Sequence, residues 1–296
     1  MIQIPIVDAH HHIWRQADLP WLQGPMVPRI FGPYEPIRRD YPIEEFLSDI
    51  ADTGTVKSVY VQTNWAKADA VKEVEWVQGV ATVHGWPHAI VGYADLLDEN
   101  VSDTLRQQAL SPLMRGVRMQ LHWHHNEMYR FAAAPDLMNQ SRFRNNIRLV
   151  AEHGWSFDLQ VFTSQMADAA RLAADNPDVV FVLQHAGMLE DLSHEGHAAW
   201  REGMKRLASE ENIVSKLSGL GTFIHRNDPA HVKDVVLETV EMFGAQRCLF
   251  GSNFPIEKLW TSYAELVSAH REAVALFPAA DQEAILNGTA KRIYRL

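Results

Sequence analysis

The sequence predicts an α/β fold, a single distorted (β/α)8 TIM barrel with a long loop after its first strand. Three observations carry this. Short apolar or β-branched runs alternate with helical patterns along the chain, which implies a parallel sheet. About eight such units fit within 296 residues, the usual size of a closed barrel. After the first strand the chain reads HHHIW, where an open doubly wound sheet would carry a glycine-rich phosphate loop. No linker, repeat or low-complexity tract divides residues 1–296, so one domain is expected.

In chain order, the first strand is read at Ile4–His10 and the second at Ser58–Thr63. Between them, Ile43, Phe46, Leu47 and Ile50 follow helical spacing and Gly54 closes the segment. A helix around Val71–Ala81 leads to strand three, His88–Ala94, and a helix at Ser102–Leu110 to strand four, Gly116–Leu121. The alternation continues with helix Pro135–His153, strand Ser156–Phe162, helix Ser164–Ala174 and strand Val179–His185. It ends with helix Gly196–Ser209, strand Ile213–Ser218, helix Ala230–Phe243, strand Cys248–Ser252 and helices Ser262–Leu276 and Asp281–Tyr294. The proline-rich connection Arg15–Tyr41, carrying Trp21, Met26, Phe31 and Tyr34, is long for a barrel loop and reads as a lid or pocket wall.

Bulk properties narrow the partners. A net charge of −10 argues against nucleic acid or an anionic membrane, while leaving an acidic small molecule open. The single Cys248 suits a reducing compartment, and the start lacks the pattern of a signal peptide, so a cytoplasmic protein is expected. Oligomeric state is open; the apolar Trp21–Tyr34 loop would suit a contact between identical subunits.

Several strands carry polar groups where a barrel would place its catalytic face. In 8-DAHHHIW-14, alternation points His10 and His12 one way and His11 the other. Two histidines at a strand end can chelate a divalent metal or bind an anion. Strand four puts Arg118, Gln120 and His122 on one face; strand five does so with Asp158 and Gln160, strand seven with Lys216 and Ser218. An inward arginine is costly unless it is paired, here with Asp158, or bound to substrate. His185 ends strand six at a glycine turn, a suitable place for a metal ligand or an acid/base group. Asn253 ends strand eight, where an amide can orient water but cannot deprotonate it. Glu257 and Lys258 follow and read as solvated, as do His124 and His125. Trp65, Trp123, Trp21 and Tyr34 are candidate pocket walls, suiting a substrate with an apolar face.

The stretches 7-VDAHHHIW-14, 38-RRDYPIEEF-46, 179-VVFVLQHAG-187, 214-VSKLSGL-220, 247-RCLFGSNFP-255 and 286-LNGTAKRIYRL-296 together resemble the amidohydrolase superfamily. The resemblance is to its lactonase-like branch, which includes 2-pyrone-4,6-dicarboxylate lactonase and L-fuconolactonase. It implies hydrolysis of a lactone from a sugar acid or an aromatic breakdown product. It matches His10, His12 and His185 to the family's histidines and puts Asn253 at its eighth-strand aspartate. Gln160 stands where metal-dependent members commonly have a histidine ligand. With two departures among the metal-site positions, zinc or manganese on His10, His12 and His185 would be weakly held, and no metal is the favoured expectation.

Lactone hydrolysis needs a polarised carbonyl, an activated water and a proton for the ring oxygen. Arg118 and the histidine pair suit the first task; the base would be His185, or a hydroxide on a metal held by His10 and His12, with Asp158 a third candidate. Two other functions are carried as alternatives: a metal-dependent decarboxylase or hydratase on the same scaffold, and a non-catalytic barrel that binds a small acid or a partner.

Overall fold

A computed structural model describes residues 4–296. Its eight strands are β1 (Ile6–His11), β2 (Thr55–Val61), β3 (Ala89–Gly92), β4 (Met114–Val117), β5 (Ser156–Leu159), β6 (Val180–Leu183), β7 (Ile213–Leu217) and β8 (Cys248–Phe250). They pair in parallel in chain order, β1 to β8, as the strand–helix alternation requires. The expected (β/α)8 barrel is what the chain forms.

Between β8 and β1 the joint is made differently. His11 and Phe254 form a parallel bridge, and Asn253 N donates to His10 O at 2.7 Å. The Asp8 carboxylate closes the rest. Its Oδ1 accepts from Ser252 N (2.8 Å) and its Oδ2 from Ser252 Oγ (2.6 Å) and Tyr263 OH (3.0 Å). Asp8 is fully buried, and burial pushes its carboxyl up to about 6 against the pull of these donors. The first acid of DAHHH is therefore a structural clasp.

The helices are α1 (Pro20–Gln23), α2 (Ile43–Asp49), α3 (Ala70–His84), α4 (Val101–Gln108), α5 (Ser141–Glu152), α6 (Met166–Ala174), α7 (His194–Ala208), α8 (Pro229–Phe243), α9 (Tyr263–Val274), α10 (Ala279–Glu283) and α11 (Thr289–Tyr294). Several begin where local chemistry says they should. Ser193 caps α7, Asp228 caps α8 ahead of Pro229, and Ser262 with Glu265 forms a capping box on α9. The helix expected over Pro135–His153 is shorter: a 3-10 turn at Leu137–Asn139 precedes α5. The one expected over Asp281–Tyr294 is split by a π segment at Ala284–Gly288. None of the described helices is long and apolar enough to cross a membrane.

Two cores result. Strand residues facing outward pack under the helices. Those facing inward, Val7, Ala9, Val59, Val91, Val182 and Leu249 among them, form a separate apolar floor, closed from below by Ala290 and Tyr294. Above that floor Lys216 Nζ lies 2.9 Å from Asp158 Oδ2, both side chains with no exposed surface. Tyr294 OH donates to Asp158 Oδ1 at 3.3 Å. Pairing is what makes two charges tolerable at this depth.

Candidate active site

The pocket opens at the C-terminal ends of the strands, where a barrel presents its loops. Its volume is about 120 Å³, room for a small ring with substituents. His12, Arg118, Gln120, His122, Gln160 and His185 line it, together with Trp21 and Asn253. Asp158 and Lys216 sit deeper, in the pair described above. His10 lies beneath the lining, its ring centroid 5.0 Å from that of His12 and 4.9 Å from that of His185. His11 points outward and stacks on Phe46 at 3.9 Å. Tyr34, Trp65 and Trp123 do not reach the lining. Tyr34 backs Trp21 at 5.9 Å, Trp65 packs on Trp76 at 5.8 Å, and Trp123 lies under the Arg130 guanidinium at 5.1 Å.

Each functional side chain is fixed from behind. His12 donates Nδ1–H to Val61 O at 2.7 Å, which leaves Nε2 as an acceptor. His185 Nδ1 lies 2.9 Å from Ser218 Oγ. The His185 backbone is left-handed (φ 55°), as are Asn253 (φ 58°) and Asn64 (φ 64°), all on the pocket lining. Such conformations cost energy in non-glycine residues and cluster at functional sites. Gly219 makes room for the His185 ring, since a Cβ there would lie 2.5 Å from Nδ1.

Arg118 donates Nη2–H to Gln62 O at 2.6 Å, while its Nε is buried without a partner. The ion pair with Asp158 considered from the sequence goes instead to Lys216; Asp158 and Glu73 answer the Arg118 charge at longer range. Burial brings the guanidinium down to about 10, so it stays protonated at neutral pH.

Burial, and then the neighbouring cations, keep the histidines neutral. His12 is held down at about 3 by burial and next by Arg118; His122 likewise stands at about 3. His10 falls well below its ordinary value through burial and Lys216, and His185 through burial and Arg118. In the unfolded chain these rings protonate near 6.5. Their contribution to stability is therefore complete above that value and lost as pH falls toward their lowered folded values, about 3 for His12 and His122. Asp8, raised to about 6, acts in the opposite sense, stabilising in acid and fading as pH rises through 6. The four histidines outnumber Asp8 and Glu257, whose carboxyl is raised to about 7, so Tm is expected to fall as pH drops from about 7 to about 4. A calorimetric pH series checks this; a flat or rising Tm would contradict it.

The long connection read as a lid or pocket wall runs from Trp14 to Tyr41 and forms one wall of the pocket. These two residues exchange backbone hydrogen bonds of 2.9 Å, pinning both ends of the loop together. Trp21 Nε1–H donates to Thr63 O at 2.9 Å, and the Ile30 carbonyl lies 3.0 Å from His225 Nε2 across the mouth. Trp14, Trp21, Arg29 and Phe31 of this segment line the pocket.

Sequence reasoning passed over Arg29, Arg130, Tyr129 and Phe223, which complete the walls from three different loops. It also misjudged Glu257, expected in solvent. Glu257 is 2% exposed, and burial pushes its carboxyl up to about 7 although Trp260 Nε1–H (2.9 Å) and Thr222 Oγ1 (3.4 Å) donate to it. Its place four residues after Asn253, on one turn, was the available signal. Lys258 is half-buried, paired with Asp49 at 2.6 Å.

Residues 7–296 match the family model described as Amidohydrolase. The chain is 35% identical to protein y4mH of Sinorhizobium fredii over the whole of both chains. It is 28% identical to the L-fucono-1,5-lactonase of Burkholderia multivorans, covering 98% of this chain and 96% of that one. A crystal structure of an amidohydrolase from Burkholderia multivorans with bound zinc superposes with a TM-score of 0.83 at 25% identity, covering 99% of each chain.

That zinc raises the question of whether the residues here suit a divalent ion. One feature favours it: both ring nitrogens of His10 are buried without a partner. The rest of the donor set opposes it. Asn253 brings no charge, Arg118 already lines the site as a cation, Asp158 is spent on Lys216, and no group of three or more His, Cys, Asp or Glu among the described residues converges as a metal site. A dication with no anionic ligand beside a fixed guanidinium is poorly matched. These residues do not fit a closed divalent centre. The match over residues 7–296 and the barrel-mouth site together settle the kinship: the chain belongs to the amidohydrolase family of enzymes.

Proposed function

We propose that the protein hydrolyses a lactone that carries a carboxylate and an apolar face. The carrying observation is the charge of the pocket: Arg29, Arg118 and Arg130 line it and no carboxylate side chain does, in a protein of net charge −10. Such a cavity concentrates anions. The aromatic walls supply the apolar face, and the 28% identity to an L-fucono-1,5-lactonase supports lactone chemistry.

In this reading Arg118 polarises the carbonyl and stabilises the oxyanion that forms on it. His185, with Nδ1–H donated to Ser218 Oγ, takes a proton from water at Nε2 as the water oxygen bonds to the carbonyl carbon. The ring C–O bond then breaks, and the same proton passes from His185 to the departing alkoxide. The product is the open hydroxy acid.

A lactone panel tests this. Carboxylated lactones are expected to give the highest kcat/KM, with neutral sugar lactones well below them; the reverse order, or no turnover of any lactone, overturns the proposal. The pH profile is a second check. Because His185 is held below its ordinary range, the acid limb of kcat/KM is expected below about 6.5. A limb at or above that value would exclude His185 as the base.

A further inference from the structure

We propose that Arg29, carried on the long connection between β1 and β2, is the group that takes the carboxylate of the substrate, as a planar fork held over the Trp21 ring. The inference deepens the hydrolytic reading above and rests on it for the lactone. It gives Arg29 the choice of substrate and no part in breaking the ester bond.

Three guanidinium groups line the pocket, and they differ in what already occupies them. Arg130 is spent: its Nε–H goes to His124 O (3.0 Å), its Nη2–H to His125 O (3.1 Å), and its face covers Trp123. Arg118 follows β4 directly, is 4% exposed and gives Nη2–H to Gln62 O. Its Nε is unpartnered, but it belongs to the barrel end that holds His12 and His185, where the reacting carbonyl sits in this reading. Arg29 stands on the loop wall. Its Nε is buried without a hydrogen-bond partner, and no carboxylate side chain lines the pocket to supply one. An unanswered buried donor is costly, and an acceptor entering the pocket removes that cost.

The position of Arg29 is fixed from several sides. Its guanidinium carbon lies over the Trp21 ring, 5.7 Å from the centroid, and Trp21 is itself held by Nε1–H on Thr63 O. The Arg29 carbonyl accepts from Gly32 N at 2.9 Å, which closes a turn. Within that turn Ile30 O lies 3.0 Å from His225 Nε2, on the loop after β7. Gly32 (φ 74°) lets the turn close on the same ring, since a Cβ there would lie 3.0 Å from His225 Cε1. A guanidinium over an aromatic face keeps its edge free, and that edge is the two-pronged donor that matches a carboxylate. Arg29 and Arg118 thus stand on different walls of one cavity of about 120 Å³. A small ring with its carbonyl at Arg118 and its carboxylate at Arg29 spans the two.

Benzoate, a carboxylate on an apolar ring, and benzamide, its neutral counterpart, are the probes. Each is titrated calorimetrically into wild type, Arg29→Met, Arg29→Lys and Arg130→Met. Wild type is expected to prefer benzoate, and Arg29→Met to lose about 10- to 100-fold of that preference, the range for hydrogen bonds to a charged group. Arg29→Lys keeps the charge without the fork and should fall between the two. Arg130→Met should lose clearly less than Arg29→Met. The proposal is overturned if wild type does not prefer benzoate, or if Arg29→Met keeps the preference. Equal losses in Arg29→Met and Arg130→Met overturn it as well, because the preference would then belong to the overall charge of the pocket. Turnover of a carboxylated lactone and its carboxamide by the same proteins separates this from the hydrolytic reading. Benzoate preference lost in Arg29→Met, with no lactone opened by wild type, upholds Arg29 and rejects hydrolysis. Lactones opened by wild type and Arg29→Met with the same preference do the reverse.

Discussion

His185→Gln is expected to lower kcat by ~100- to 10,000-fold, the range for removing a general base, with KM nearly unchanged. The reason is positional. Of the three clustered histidines, His12 has one nitrogen on Val61 and the other beside Asn253, and His10 does not reach the pocket. Both His12 and His185 line the pocket with one nitrogen held from behind, and of the two only His12 has Asn253 beside its other nitrogen, which makes His185 the freer base. Because the ring is neutral in the folded protein, glutamine changes no charge, and Tm serves as the control for folding. An activity within ~3-fold of wild type would remove His185 from the mechanism and return attention to a hydroxide held elsewhere.

Lys216→Met should cost about 3–5 kcal/mol of stability, because it strands the Asp158 carboxylate in the barrel with Tyr294 OH as its hydrogen-bond partner and Arg118 only at longer range. For a chain of this size that corresponds to a Tm drop of about 6–12 °C. Lys216→Met/Asp158→Leu removes both charges and should recover most of the loss. Thermal melts of the two variants decide the matter: equal Tm values would mean that the pair is not what holds the floor. Lys216 also presses on His10 and His185 electrostatically, so the single variant should move the acid limb of the rate profile upward.

The barrel was legible because its cause is local. Each strand shows as a short apolar run, each helix as a period, and their alternation leaves few topologies. The phase of each strand was legible too, which is how Arg118, Asp158 and Lys216 were read onto the inner face. Depth was not. Which inner residues meet depends on the stagger between strands, a property of the closed barrel; hence Asp158 meets Lys216 and not Arg118. Glu257 was misread for a related reason. Its burial is made by Gly221 and Thr222 from the loop after β7 and by Trp260, neighbours that no local pattern announces. Trp65 and Trp123 show the limit for aromatics: they lie beside the site in sequence yet pack behind its wall.

The Asp8 clasp bears on how the chain folds. Seven of the strand joints link neighbours in sequence and can form as each strand–helix–strand unit collapses. The eighth joins Asp8 to Ser252, 244 residues apart, and adds Tyr263 from α9. Closing a loop of that length carries a large entropy penalty that is repaid only when the whole sheet is in place. Ring closure at Asp8 is therefore expected late in folding, and until it happens β1 and β8 are open sheet edges exposed to pairing with other chains.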